Sequence, residues 1–257
     1  MSKQKFRIGQ IVPSSNVTME TEIPALLRAR EGVEPERFTF HSARMRMKNV
    51  TKEELEAMDA ESDRCALELS DAAVDVMGYA CLVAIMSMGK GYHRESERRL
   101  SEVARDNGHP CPVVSSAGAL VEGLKVLGAK RISVLAPYMK PLTKLVTDYI
   151  EHEGIEVVDV ISLEIPNNLD VAAQDPRQPA EVCKKLNVKN ADVVVVSACV
   201  QMPSLPSIEP VEKHFGLPAV SASVCTTFQM LDRLGLKTVA PGGGTLLSGA
   251  YGKAKAA

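Results

Sequence analysis

A repeated segment constrains this chain of 257 residues more than any other feature. "DVMGYAC" ends on Cys81 and "DVVVVSAC" ends on Cys199; each is an aspartate, a run of apolar or small residues, and then Ala-Cys. Aligned on Asp75 and Asp192, the repeat is expected to carry both thiols in one register. Short apolar runs of this kind suit strands buried on both faces of a parallel sheet. Two strands that finish on a thiol at matching places make those cysteines the leading candidates for chemistry.

Strand and helix patterns alternate around these segments. Strand-like runs at 6–12, 37–43, 73–80 and 112–116 are followed by a second set at 131–136, 155–163, 191–198 and 218–222. Between them, 52–73, 141–154 and 180–188 carry apolar residues near helical period, and Gly154 can close the second of these. The alternation predicts an α/β fold of two pseudosymmetric domains, each a parallel four-stranded sheet flanked by helices with right-handed crossovers. The fourth strand of each half opens on a proline, "PVVSS" and "PAVSA", and leads through a helix to "LGAK" or "LGLK". The final segment is expected to add a strand that returns to the first half. That assigns 1–117 plus 222–257 to the first domain and 118–221 to the second. Ligands of open parallel sheets bind beyond the carboxyl ends of the strands, so Cys81 and Cys199 are expected on opposite sides of one interdomain cleft.

Composition excludes several functions. A formal net charge of -2 without a basic block argues against a nucleic-acid partner. No run approaches the ~20 apolar residues of a membrane span, and the start "MSKQKFRIGQIVPSSN" lacks a signal-peptide cleavage pattern, so a cytoplasmic location is expected. The six cysteines form neither a CxxC nor a Cys/His cluster at zinc-ligand spacing, which predicts reduced thiols and no metal.

Four of these cysteines suit the core: Cys65 and Cys183 within helical patterns, Cys111 between prolines, and Cys225 at a helix start. Cys81 and Cys199 differ because backbone N–H groups just beyond a strand end can hold an anion and lower a thiol from its ordinary value of about 8.5. At the same rim, Asn16 in "VPSSNVTME" is a helix cap or a substrate ligand, and Tyr138 in "APYMKP" can hydrogen-bond a substrate oxygen. Asn167 and Asn168 suit a turn. His93 in "MGKGYHRES" lies near Cys81 in sequence and is a possible general base, while "PGGGT" lacks the Lys and Ser/Thr of a phosphate loop and is read as a flexible turn.

The doubled strand-Ala-Cys design resembles the aspartate/glutamate racemase superfamily. "VPSSNVTMETE", "YACLVA", "APY", "PNNLD" and "SACVQMPSL" together resemble its maleate cis-trans isomerase branch, over Ile8 to about Gly249. The resemblance implies a cofactor-free reaction on a small dicarboxylate and a homodimer. It matches Cys81 to the nucleophile and Cys199 to the second catalytic cysteine. Asn16, Tyr138 and Asn168 match substrate-binding positions, as do the backbone groups of Leu82 and Val83 after one thiol and of Val200 and Gln201 after the other. Racemases of the superfamily carry polar pairs at those last four positions. The implied chemistry is addition of the Cys81 thiolate to the maleate double bond, rotation about the resulting single bond, and elimination to fumarate, with Cys199 moving a proton. The alternatives are an amino-acid racemase, a decarboxylase of substituted malonates, which typically keeps only the second cysteine, and a non-catalytic diacid-binding protein.

Overall fold

The structure, a computed structural model, describes residues 4–48 and 50–252; residues 1–3 and 253–257, at the ends of the expected first domain, lie outside the described residues. The first half runs β1 (Lys5–Pro13), α1 (Met19–Arg30), β2 (Arg37–Met45), α2 (Lys52–Ala60), α3 (Ser62–Asp71), β3 (Val76–Tyr79), α4 (Leu82–Ser87), α5 (Tyr92–Asp106), β4 (Val113–Ser115) and α6 (Ser116–Val126). The second runs β5 (Arg131–Ala136), α7 (Lys140–His152), β6 (Glu156–Ser162), α8 (Asn168–Ala172), α9 (Gln178–Cys183), β7 (Val193–Ser197), α10 (Ile208–Phe215), β8 (Ala219–Ser221) and α11 (Ala222–Arg233). All strand pairs within the two sheets are parallel, and the orders β2-β1-β3-β4 and β6-β5-β7-β8 are the same.

The repeated aspartates explain how each cysteine strand finds its place. Asp75 Oδ2 accepts from the Arg7 N–H at 2.8 Å, and Asp192 Oδ2 accepts from the N–H groups of Lys130 and Arg131 at 2.9 and 2.8 Å. Each carboxylate therefore pins the start of the cysteine strand to the start of its central neighbour, β1 or β5. At the far end the match returns: Ala80 N donates to Ile11 O at 2.8 Å and Ala198 N to Leu135 O at 3.1 Å.

Between these pins the two segments are unequal, seven residues from Asp75 to Cys81 against eight from Asp192 to Cys199. The expected common register is therefore corrected. The β7–β8 pairing shifts between Val195 and Ser197, and this bulge absorbs the extra residue before the thiol. β3 and β7 are buried along their whole length, as their apolar runs imply.

The strand-to-helix junctions also repeat. Ser115 and Ser221 cap α6 and α11, each hydroxyl accepting from the N–H three residues on, Gly118 or Val224. Two expectations fail. The helical stretch 52–73 is divided into α2 and α3 at Glu61, where the Glu61 N–H bonds to Met58 O, three residues back. The final segment adds no strand to the first sheet: its pairing is an isolated antiparallel bridge, Val239 with Ser248. Gly242 and Gly244, at φ 85° and 66°, turn the chain back after Pro241, and Glu212 Oε1 holds this turn by accepting from Thr245 N at 2.9 Å. Among the described residues, no helix is long and apolar enough to cross a membrane.

Candidate active site

The carboxyl ends of β1, β3, β5 and β7 lead into a small cavity of about 20 Å³. The nine residues matched through the resemblance all line it: Cys81, Leu82 and Val83 after β3; Asn16 after β1; Tyr138 after β5; Asn168 at the start of α8; and Cys199, Val200 and Gln201 after β7. Pro13, Met47 and Val50 complete the lining and were not anticipated. Met47 and Val50 belong to the connection between β2 and α2, where isolated apolar residues show no period to read.

Cys81 is 6% exposed and sits at the junction of β3 and α4 with φ 115° and ψ 77°, backbone that L side chains rarely adopt. The turn aims the next residues straight into α4. Leu82 and Val83, whose first-turn N–H groups have no partner within that helix, line the cavity, while the Ala84 N–H bonds to the thiol. Cys199 is 7% exposed and precedes a turn rather than a helix. Its sulfur accepts from Gln201 N at 3.4 Å, from the Met202 N–H and from the Tyr138 hydroxyl. Tyr138 lies close enough to Ala198 O, at 3.2 Å, to share its proton there.

The expectation that N–H donors lower these thiols is overturned for the closed cavity. Burial raises Cys81 to about 12, opposed by the Ala84 N–H and reinforced by Cys199 and Asp59. Burial also raises Cys199, against the donors from Tyr138, Gln201 and Met202. Removing water from a thiolate outweighs a few dipoles. Burial, with Cys199 beside it, raises Tyr138 too, so its hydroxyl remains a donor.

The side chains around the thiols join the halves. Asn16 is both cap and bridge: its Oδ1 accepts from Met19 N at 3.0 Å, and its Nδ2 donates to Val200 O at 3.4 Å. Gln201 Nε2 donates to Ser15 O at 2.8 Å and Asn168 O at 3.1 Å, while its Oε1 accepts from Val17 N. Asn168 Nδ2 donates to Ser15 Oγ at 2.8 Å, whereas Asn167 serves as the N-cap of α8. His93 is not among the lining residues; it is buried and bonded through Nδ1 to the Tyr149 hydroxyl at 2.5 Å. Cys65, Cys111, Cys183 and Cys225 are buried and free. Among the described residues there is no group of three or more His, Cys, Asp or Glu able to hold a metal ion.

Two buried carboxylates near the thiols escaped the reading of the sequence. Asp59 accepts from the hydroxyls of Tyr79 at 2.9 Å and Tyr92 at 2.8 Å and pairs with Arg99 at 3.0 Å. Glu22 accepts from Ser204, Leu205 and Ser223. Both occur on helical stripes that are otherwise apolar, Leu55-Met58-Asp59 and Met19-Glu22-Ile23-Leu26, and an acid on such a stripe is a signal that could have found them.

The family model described as arylmalonate decarboxylase matches residues 8–247. A maleate isomerase of Pseudomonas putida is 62% identical over 96% of this chain and 99% of its own length. The crystal structure of a Pseudomonas putida maleate isomerase variant with maleate superposes with a TM-score of 0.95 at 63% identity, covering 97% of this chain and 100% of that one. A variant of the Nocardia farcinica maleate cis-trans isomerase with a covalently bound succinylcysteine intermediate gives 0.91 at 45% identity, over 95% and 98% of the two chains. On that agreement along nearly its full length, the chain belongs to the arylmalonate decarboxylase family and, within it, to the maleate isomerases.

Proposed function

We propose that this protein converts maleate to fumarate by reversible addition of Cys81 to the double bond. The observation that carries this reading is the convergence of two strand-end thiols, one from each sheet, on a single cavity lined by N–H, amide and phenol donors. Burial keeps both thiols protonated in the empty cavity, so one proton leaves to solvent before reaction and the two thiols then work as a coupled pair holding the other between them. The Cys81 thiolate forms a C–S bond to one alkene carbon as the Cys199 S–H gives its proton to the other, leaving a succinyl thioether and a Cys199 thiolate. The central bond is then single and rotates. Cys199 takes a proton back, the C–S bond breaks, and fumarate leaves with the Cys81 thiolate restored. Charge that develops on the substrate carboxylates is met by the backbone N–H groups of Leu82, Val83, Val200 and Gln201 and by Asn16, Tyr138 and Asn168. The succinylcysteine held by the Nocardia farcinica relative supports this sequence of bonds.

The substrate is a small dicarboxylate; nucleic acid and membrane have no part in the reaction. The domains are 1–117 plus 222–257 and 118–221, a division supported by the two separate sheets. The protein acts as a homodimer without cofactor, as the resemblance implies, and in the cytoplasm, as the lack of a membrane-span or signal pattern in the sequence suggests. Proton NMR of maleate incubated with the protein tests the activity through the appearance of fumarate, and a chelator-dialysed sample should keep its rate. Unchanged maleate would overturn the reading, and activity restored only by added metal would overturn the cofactor-free part of it.

A further inference from the structure

Glu22 is a carboxylate that the proposed reaction does not use. It lies on the inward stripe of α1 with Met19, Ile23 and Leu26 and is 7% exposed. A charged group at that depth must be matched by donors. The donors come from the Cys199 side of the cleft: Ser204 N at 2.5 Å and Leu205 N at 2.7 Å meet Oε1, and the Ser223 hydroxyl meets Oε2. Ser204 and Leu205 close the segment that starts at Cys199. Nearer the thiol the same segment is held by Asn16 on Val200 O and by Thr18 Oγ1 on Gln201 O at 2.7 Å. One helix and its lead-in thus grip everything that follows Cys199.

The opposite thiol has a counterpart. Asp59 on α2 accepts from Tyr79, two residues before Cys81 in the chain, and its charge acts on Cys81 as that of Glu22 acts on Cys199. We propose that Glu22 is a positioning residue for the reaction: it docks the Cys199–Leu205 segment on α1 and sets behind Cys199 a negative charge that balances the one Asp59 sets behind Cys81. The inference rests on the thiol-addition reading, because balance matters only to a proton shared by two sulfurs. Without Glu22, the charge of Asp59 alone would drive the thiolate from Cys81 to Cys199, away from the attacking position. Facing the pair as well are Tyr138, which donates to Cys199, and Tyr79, whose phenol interacts with Cys81; Arg99 pairs with Asp59 behind them. Burial pushes the Glu22 carboxyl up, while the N–H groups of Ser204 and Leu205 and the Ser223 hydroxyl favour its ionised form.

The test is iodoacetamide alkylation of the substrate-free protein across pH, with Cys81 and Cys199 read separately by peptide mass spectrometry. Glu22→Gln keeps the docking, since its amide oxygen accepts both backbone N–H groups and its NH2 meets the Ser223 oxygen, but it removes the charge. The Cys199 midpoint should fall by about one pH unit. For maleate, kcat should fall roughly tenfold with KM within about threefold, because the productive proton arrangement loses that much population. Ser223→Ala should shift the Cys199 midpoint the same way by less. A Glu22→Gln variant with the wild-type Cys199 midpoint, or with both thiols accelerated equally as in a loosened fold, would overturn the proposal. If Glu22→Gln does not fold, an unshifted midpoint in Ser223→Ala overturns it instead. Alkylation needs no turnover, so a wild type inert toward maleate would sink the proposed function separately.

Discussion

Cys81 and Cys199 follow equivalent strands, yet the backbone treats them differently. Cys81 stands at φ 115° with α4 beginning at the next residue, and the Ala84 N–H bonds to its sulfur. Cys199 is outside the left-handed region, follows a bulged strand, and is held by Tyr138, Gln201 and Met202, with its carbonyl tied to Ser197 Oγ at 2.9 Å. A nucleophile needs its sulfur presented along one line of attack, and strained backbone leading into a helix presents it. A group that gives up a proton needs its anion stabilised, and a ring of donors supplies that. On the proposed roles, the duplicated design is specialised through local geometry, with the same residue type on each side.

The largest effect that would break this comparison is exchange of roles. Cys81→Ser and Cys81→Ala should each lower turnover by at least about a thousandfold, because a serine hydroxyl without a strong base is almost never ionised. Cys199→Ala keeps the nucleophile, so intact-protein mass spectrometry with maleate should find one diacid bound, mapped to Cys81. An adduct on Cys199 with active Cys81→Ala would reverse the assignment.

Next in size are the anchors. Asn16→Ala, Tyr138→Phe and Asn168→Ala should each cut kcat/KM by roughly one to two powers of ten, the worth of a hydrogen bond to a charged group. Tyr138→Phe sharpens the comparison further: it removes a donor from Cys199, so the Cys199 alkylation midpoint should rise while that of Cys81 stays. Equal shifts at both thiols would show that the phenol serves the cavity as a whole.

A smaller effect concerns Cys81 and pH. Its thiolate fraction grows as pH rises, and with the thiol near 12 its alkylation rate in the empty cavity should still be climbing at pH 10. Asp59→Asn removes an opposing charge and should lower that midpoint by about one unit, leaving Cys199 in place. A plateau below pH 9 in the wild type would contradict the effect ascribed to burial.

The smallest effect tests strain. At position 81, glycine should be more stable than alanine by about 1 kcal/mol, since only glycine accepts positive φ freely. At position 199 the order should reverse by about 0.5 to 1 kcal/mol, through the entropy of the unfolded chain. Denaturant midpoints of the four variants decide it, and the same order at both sites would remove the backbone difference from the comparison.

The strands and the site rim were legible because apolar runs such as Val193–Val196 have few other uses and strand ends are where parallel sheets bind ligands. The aspartates used to align the repeat proved to be its pins. Counting from them also exposes the one-residue inequality that the β7 bulge absorbs, although where the bulge falls depends on pairing with β8. The rest depended on contacts distant in sequence. Glu22 meets Ser204 across 182 positions, and nothing local to either residue announces that meeting. Pro13, Met47 and Val50 reach the cavity because of where their connections lie. The net upward push on both thiols is a property of enclosure, invisible to a reading of neighbours.

The positive φ at Cys81 has a consequence for anyone rebuilding this protein. The two halves look like interchangeable modules, and grafting "CVQM" from 199–202 onto 81–84 would keep the thiol while putting one glutamine among three apolar residues. Yet the graft would carry a sequence suited to a turn into a junction that must start a helix from backbone open chiefly to glycine. Directed variation around the first thiol therefore has few tolerated outcomes, whereas at the second no positive φ restricts the residue, and the limit is set instead by the buried bonds that Glu22, Asn16 and Thr18 make to the segment after it.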